Sequence, residues 1–519
     1  MNDEPEPAVS RQRLLPGHDH RQFRSAFSGD NLRFTMKPNQ NKQGVLRLFP
    51  AASMIFLLGG CMVGPNYHRP SVKTPDEFRA SPAGTSDGQS IANLNWFEVF
   101  SDEQLQKLIQ TSLAQNYDLR DAVARVDAAR ASLGITRSYQ YPTFGAGGSI
   151  TGAQLSRNGA VNIPTGSRER TYGSAFLSLF PYEIDLWGRL RRSTEAAKAE
   201  MLAEDWNRKA VISTLVSDVA TAYFNLLEQD MELAIARSTL ESREESLRII
   251  KLQAEAGLVT DLDLRQAEQL VYGAAQSIPG TEQQIEQIEN QISLLEGKNP
   301  GPVTRGRSLT EQQTPPAVPA GLPSSLLERR PDIRAAEQNL IAANANIGVA
   351  KAAYFPQLTL TGDAGYSSAS LSSLFKGANS MWSFAPNLTL PIFTAGRTAS
   401  GVKLAKAQQQ SALAQYENTI QSAFRDVSDA LIAYQKVREV RVQRELLVKA
   451  VQDRKRLAYR RFQDGVDTML NALNSDQDLF TAELSLAQVR LDEVLSLVQL
   501  YKALGGGWSE TQTQKIAHN

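Results

Sequence analysis

Histidine and cysteine are almost missing from this chain. It has four histidines and one cysteine in 519 residues, and only His68 and His518 lie beyond residue 35. A histidine-based catalytic triad, or a metal centre of histidine and cysteine ligands, therefore cannot be assembled in its body. One cysteine also excludes a disulfide within the chain. Charge of neither sign is in excess, with 55 Lys plus Arg against 55 Asp plus Glu, which removes the basic footprint of a nucleic-acid binder. No uninterrupted run of 18 apolar residues occurs, so a membrane crossing would have to be made by strands. A Walker or dinucleotide glycine loop is missing as well. The carboxylates fall on long helical segments, where they read as solvated faces. We expect neither an enzyme nor a bound cofactor, and any transport would draw its energy from a partner.

What the chain has is a stretch written twice. From Trp382, apolar residues at 384, 386, 388, 390 and 392 alternate with small or polar ones, the period of a strand with one apolar face. After Gly396-Arg397 the period becomes helical. A copy lies 208 positions upstream, where Gly188-Arg189 and Ala197-Lys198-Ala199 match Gly396-Arg397 and Ala405-Lys406-Ala407. Earlier in each copy the offset is 214: Asn116 to Arg120 recurs as Arg330 to Arg334, Gly134 as Gly348, and Tyr141-Pro142 as Phe355-Pro356. The copies differ by six residues between the strands, where an indel belongs in a loop.

Residues 1–35 are polar, Arg-rich and aperiodic, and we expect them to be an extension outside the native protein, with Met36 the true start. Lys37, Lys42 and Arg47 precede an apolar stretch from Leu48 to Leu58, the layout of a signal peptide over 36–60. Leu58-Gly59-Gly60-Cys61 follows, where bacterial lipoproteins are cleaved and diacylated on the new N-terminal cysteine. The alternative is a buried cysteine after an ordinary signal. Residues 61–100 read as a lipidated tether leading to an equatorial segment, because they are rich in Pro, Ser and Gly to about Asn93.

Repeat 1 spans 101–296 and repeat 2 spans 325–504. Each inserts a β-hairpin between helices, 143–187 and 357–395, and the 208 register groups Phe176, Phe180, Tyr182 and Ile184 with Phe384, Leu388, Leu390 and Ile392 as one lipid-facing set. Proline-free helices follow at 190–256 and 398–464. At 1.5 Å per residue each reaches roughly 100 Å and needs neighbours along its whole course. Tip turns at 257–260 and 465–468 place Gly257 and Gly465 to end these helices, and Thr260 and Thr468 to cap shorter return helices. A Pro- and Gly-rich linker, 297–324, joins the repeats at mid-height, and 505–519 is a polar tail.

The fold class expected is an internally duplicated α+β membrane protein: a long antiparallel α-helical barrel plus four transmembrane strands per chain. An open four-stranded sheet leaves unpaired edges in lipid, so closure must come from other copies. The smallest membrane barrels have about eight strands; two chains would just close one, and three would give twelve.

Ser325-Leu326-Leu327-Glu328-Arg329-Arg330-Pro331-Asp332-Ile333-Arg334-Ala335-Ala336-Glu337, Tyr354-Phe355-Pro356, Glu183-Ile184-Asp185-Leu186-Trp187-Gly188-Arg189 and the Cys61 to Pro70 segment resemble the outer-membrane efflux protein family. This is the TolC-like group, and the likeness is strongest to its NodT- or OprM-like lipoprotein branch, over nearly all of 61–508. The resemblance implies a homotrimer with a twelve-stranded barrel, anchored at the bacterial outer membrane by a diacylglyceryl and palmitoyl group on Cys61. It further implies docking of a periplasmic membrane-fusion adaptor and an inner-membrane efflux transporter. Gly257, Leu258, Val259, Thr260, Gly465, Val466 and Thr468 would meet the adaptor. The family often places aspartates just past the second tip, whereas this chain has Asn471 and Asn474 there, with Asp263 of repeat 1 in register with Asn471. A gate of Asp263, Asn471 and Asn474 would be less negative than the family's. The implied function is a passive exit duct for drugs or other small molecules. A type I secretion duct, or a lipid-anchored periplasmic scaffold without a pore, are the alternatives.

Overall fold

The computed structural model describes residues 62–79, 90–154, 169–312 and 318–508. The expected extension, signal peptide and lipidated Cys61, and residues 509–519 of the tail, lie outside them. All described elements belong to the compact unit Leu58–Asn519.

The two repeats fold alike. Repeat 1 runs α1 (Glu103–Gln115), α2 (Tyr117–Ser138), β1 (Phe144–Gln154), β2 (Glu169–Ile184), α3 (Arg189–Glu255) and α4 (Asp261–Leu295). Repeat 2 runs α5 (Pro323–Arg329), α6 (Pro331–Ala352), β3 (Gln357–Ser368), β4 (Ser380–Thr389), α7 (Arg397–Gln463) and α8 (Met469–Ala503). The long helices α3 and α7 have 67 residues each, and the return helices α4 and α8 have 35. Each long helix starts at a left-handed glycine, Gly188 at φ 77° and Gly396 at φ 83°, a backbone that a Cβ would strain. α4 continues through Pro279 even though proline removes one helical hydrogen bond.

The four strands form one antiparallel meander in the order β1-β2-β3-β4, so the two hairpins, far apart in sequence, lie side by side. The core sits in the middle third of the long helices. There Val219 and Tyr223 of α3, Ile420 and Val427 of α7, Val498 and Tyr501 of α8, and Leu105 and Ile109 of α1 are buried together. A window of α3 is apolar enough to cross a membrane, yet 67% of it is buried, which marks it as the spine of this core. Toward the sheet the contacts shrink to Ala196 and Ala199 on Ala342 and Ala345, which lets α3 and α6 approach closely.

The quoted motifs are joints. Glu183 receives Arg189 in a bidentate pair at 2.9 and 2.6 Å, and Asp185 accepts the Arg191 N–H at 3.0 Å in the first turn of α3. Trp187 stacks on Phe355, centroids 4.6 Å apart, and donates to Pro356 O at 2.8 Å. Arg330 bridges Asp332 at 2.6 Å and Asp426 of α7 at 3.2 Å.

The segment after Cys61 is packed rather than a free tether. Val63 N–H donates to Trp187 O at 3.0 Å, Asn344 to Pro65 O at 3.1 Å, and buried Arg192 to Asn66 at 2.7 Å. Arg69 pairs with Glu337 at 3.0 Å and also with Glu328. A Cβ on Gly64 would sit 2.5 Å from Gly348 Cα. Gly134, the repeat 1 counterpart of Gly348, has nothing within 4 Å. The segment is held by backbone hydrogen bonds, by Asn66 and Arg69, and by the close approach of two glycines, which composition does not reveal.

Candidate functional site

Strand register assigns each sheet residue to a face, because residues directly opposite share one. Phe144 opposes Leu179, Gly147 opposes Phe176, Phe176 opposes Gly365 and Ser178 opposes Asp363. On β3 and β4, Asp363 opposes Ser383, Gly362 opposes Phe384 and Leu358 opposes Leu388. One face thus gathers Phe144, Ile150, Leu177, Leu179, Leu358, Leu360, Trp382, Phe384 and Leu388. The other gathers Ser149, Ser174, Ser178, Asp363, Thr361 and Ser383. Hydroxyl contacts run across the polar face: Ser149 meets Ser174 at 2.8 Å, and Asp363 accepts from Ser178 at 2.5 Å and from Ser383 at 3.3 Å.

This register corrects the expected lipid-facing set. The β2–β3 ladder shifts between Leu179 and Tyr182, with Leu179 opposite Gly362 and Tyr182 opposite Leu360. Phe180 and Pro181 together oppose one residue, a β-bulge, and a proline without an N–H suits the unpaired place. The extra residue reverses parity. Tyr182 and Ile184 join Phe384 and Leu388 on the apolar face, but Phe176 and Phe180 lie on the polar one. There their rings cover Gly147 and Gly145, reaching 3.0 and 2.6 Å from where a Cβ would be. Leu390 and Ile392 fall outside any strand, since β4 ends at Thr389 and Pro391 follows.

At the far end of the helices the two tips share one backbone. Leu258 N–H donates to Gln253 O at 2.8 Å and Gly257 N–H to Ala254 O at 3.0 Å; Val466 to Arg461 O and Gly465 to Phe462 O repeat this at 3.0 and 2.9 Å. These are Schellman closures, with both glycines at φ 72°. Leu258 and Val466 are 75% and 62% exposed, while Val259 packs against the cluster of Leu247, Ile250 and Met469.

The side chains of the tips differ. Thr260 and Asp263 form a capping box, each accepting the other's N–H at 3.2 and 3.0 Å. Thr468 makes no side-chain cap. Asp467 replaces it, accepting the Thr468 N–H at 2.8 Å and the Asn471 amide at 2.6 Å, with Arg461 at 3.2 Å. The Asn471 amide, the Thr468 N–H and Arg461 hold the Asp467 carboxyl below its usual range. Asn474 is exposed one turn on. Among the described residues no hydrogen bond joins Asp263 to Asn471 or Asn474, so the structure leaves them on separate hairpins. Asp467 is the tip carboxylate that sequence reasoning passed over.

A second missed feature lies inward of the tips. Arg243 of α3, buried, donates to Asp476 at 2.7 Å and Gln477 at 3.0 Å on α8, and to Leu270 O on α4 at 2.8 Å. Lys455 of α7 reaches the same Asp476 at 2.5 Å. One buried ionic node therefore joins all four helices above the tips. Arg243 stands in register with Val451, itself buried. A charge at a core position of the repeat was the available signal. Removing either partner would leave a buried charge uncompensated.

Comparison with known proteins agrees with this architecture. The profile described as "Outer membrane efflux protein" matches residues 108–298 and 322–506. The chain is 38% identical over 472 residues to the probable efflux pump outer membrane protein TtgC of Pseudomonas putida, covering 90% of this chain and 97% of that one. It is 37% identical over 456 residues to outer membrane protein OprJ of Pseudomonas aeruginosa, covering 87% and 94%. The open-state MtrE outer membrane channel of Neisseria gonorrhoeae superposes with a TM-score of 0.79 at 33% identity, covering 86% of this chain and 99% of that one. The family match holds the strands, their joints and all but the first few residues of the repeats, and the chain belongs to the outer membrane efflux protein family.

Proposed function

We propose that this chain is the outer-membrane component of a tripartite efflux pump and serves as a passive exit duct in a homotrimer. The observation that carries the reading is a four-stranded meander with one apolar face and two unpaired edges, β1 and β4, both exposed nearly throughout. Hydrocarbon does not tolerate unpaired strand edges. Three copies would close a twelve-stranded barrel and leave a lumen, with long helices continuing it into the periplasm. The apolar face, with Tyr182, Ile184, Phe384 and Leu388, then meets lipid, and the polar face, with Phe176 and Phe180, lines the duct. Cys61 carries the diacylglyceryl and palmitoyl anchor.

A periplasmic adaptor meets the tips at Gly257, Leu258, Val259, Thr260, Gly465, Val466 and Thr468, and an inner-membrane transporter supplies the energy. Opening requires the α3/α4 hairpin to move against α7/α8, and the Arg243–Asp476–Lys455 node resists that shear. Adaptor binding shifts the population by making better contacts with the dilated form. At the gate Asp263 is engaged in its capping box and Asn471 and Asn474 are neutral, so charge selectivity is weak and rests on Asp467.

The test is single-channel conductance of the detergent-extracted protein in planar bilayers, with its mass measured on the same sample. Trimers with small, rarely opening currents and weak cation preference are expected, and Asn474→Asp should raise that preference. Folded monomers that never conduct would overturn the duct, and strong cation preference in the unaltered protein would overturn the gate assignment.

A further inference from the structure

The segment after Cys61 lies as a strap along a groove between α3 and α6. Met62 crowds Gly188 at the start of α3, and Gly64 crowds Gly348 of α6. Arg192 donates to Asn66, and Asn344 to Pro65 O. Trp187 stacked on Phe355 closes the groove toward the sheet. The groove exists because β2 pairs with β3, and α3 leaves the one strand where α6 enters the other. α7 leaves β4 and α2 enters β1 in the same way, and these two strands are the free edges of the sheet. Closure between copies therefore sets α7 of one copy beside α2 of the next and builds a second groove of the same kind. Each chain supplies one strap for two grooves.

The duplicated register says what lines the second groove. Gly396 stands for Gly188 and Gly134 for Gly348, so its floor keeps both glycines. Arg137 stands for Lys351, and Lys403 for Glu195, the carboxylate that pairs with Arg192 at 2.7 Å in the first groove. Ala395 and Tyr141 stand for Trp187 and Phe355, so the closing stack loses its larger ring. Arg137 and Lys403 are exposed, and neither makes an ion pair or a side-chain hydrogen bond with a described residue. No carboxylate occurs from Arg130 to Pro142 or from Arg397 to Tyr416. Just before α7, Ile392 and Phe393 are 94% and 88% exposed, so cations lie below and uncovered apolar side chains above.

We propose that the groove between α7 of one copy and α2 of the next binds an anionic phospholipid. Its headgroup phosphate lies between Lys403 and Arg137, and its chains pass Ala395 and Tyr141 toward Ile392 and Phe393. This rests on the reading of the chain as a trimeric duct, and it adds a partner and a site to which two copies contribute. The order of charge and apolar surface is the one a phospholipid presents where helices meet a membrane-spanning sheet. With no carboxylate to receive a headgroup ammonium, the groove favours lipids of net negative charge.

The experiment is native mass spectrometry of the full-length protein in a nonionic detergent, supplied with phosphatidylglycerol or, in parallel, with phosphatidylcholine of the same chains. Trimers should retain one phosphatidylglycerol per interface and little phosphatidylcholine, and monomers in the same sample neither. Arg137→Gln with Lys403→Gln should leave trimers intact and weaken phosphatidylglycerol binding at least about tenfold, the loss of two cations at a headgroup. Lys107→Gln with Lys436→Gln, exposed cations on α1 and past the middle of α7, should leave it unchanged. Glycerol phosphate, the soluble headgroup, should not displace the lipid. Equal retention of both lipids, indifference to the Arg137 and Lys403 pair, or displacement by glycerol phosphate would overturn the lipid site and leave the duct standing. Folded protein that is monomeric with every lipid would instead remove the trimeric duct beneath it.

Discussion

Among single residues, Glu228 carries the clearest consequence. It is 2% exposed on α3, and burial pushes its carboxyl up from 4.5 to about 8, with Glu232 beside it and Asp492 of α8 adding repulsion. Gln229 donates to it at 2.7 Å and partly offsets this. Between pH 4.5 and about 8 the folded chain keeps a proton that the unfolded chain has lost. The unfolded state then binds fewer protons, so stability falls as pH rises through that window. Glu228→Gln should flatten the fall: the variant should melt near the unaltered protein at pH 5 and above it at pH 8.5, read by helical circular dichroism. A parallel offset at both pH values would show that the carboxyl does not titrate there. The repeat-related residue is Lys436, so the acid is peculiar to one repeat.

On the scale of elements, the bulge in β2 decides what the sheet presents to each side. A single cysteine at Phe176 should react with a water-soluble maleimide in membrane-embedded protein, and one at Leu177 should not. The reverse pattern would mean that the ladder keeps parity and that Phe176 faces lipid. Much of the fold was legible because its signals are local: the change of period after Gly396, the glycines at the two tips, the absence of proline along α3 and α7. The sheet faces were legible only in part. Counting residues by a repeat offset assumes each advances the ladder, and a bulge spends one without advancing; Pro181 was the only mark of it. Thr468 shows a similar limit, since Asp467 takes over its cap through a side chain that repeat 1, with Val259 there, does not have. The ionic node stayed hidden because Arg243 and Asp476 lie far apart in sequence, and the register of Arg243 with Val451, an apolar position, was its one mark.

For the whole molecule, a membrane-spanning duct depends on what pairs with the free edges of β1 and β4. The helices have their own core in one chain, centred on Tyr223, Tyr416 and Tyr501, so a monomer can hold its helical part. The sheet cannot sit in lipid alone. Barrel, lumen and gate all follow from closure between copies. The most direct measurement is disulfide cross-linking in native membranes of protein carrying Phe384→Cys on β4 with Ala146→Cys, Gly148→Cys or Ile150→Cys on β1. At least one pair should trap a covalent trimer while either cysteine alone traps none. If every pair yields only monomers from correctly folded, membrane-inserted protein, β1 and β4 do not meet between copies and the duct as described does not exist.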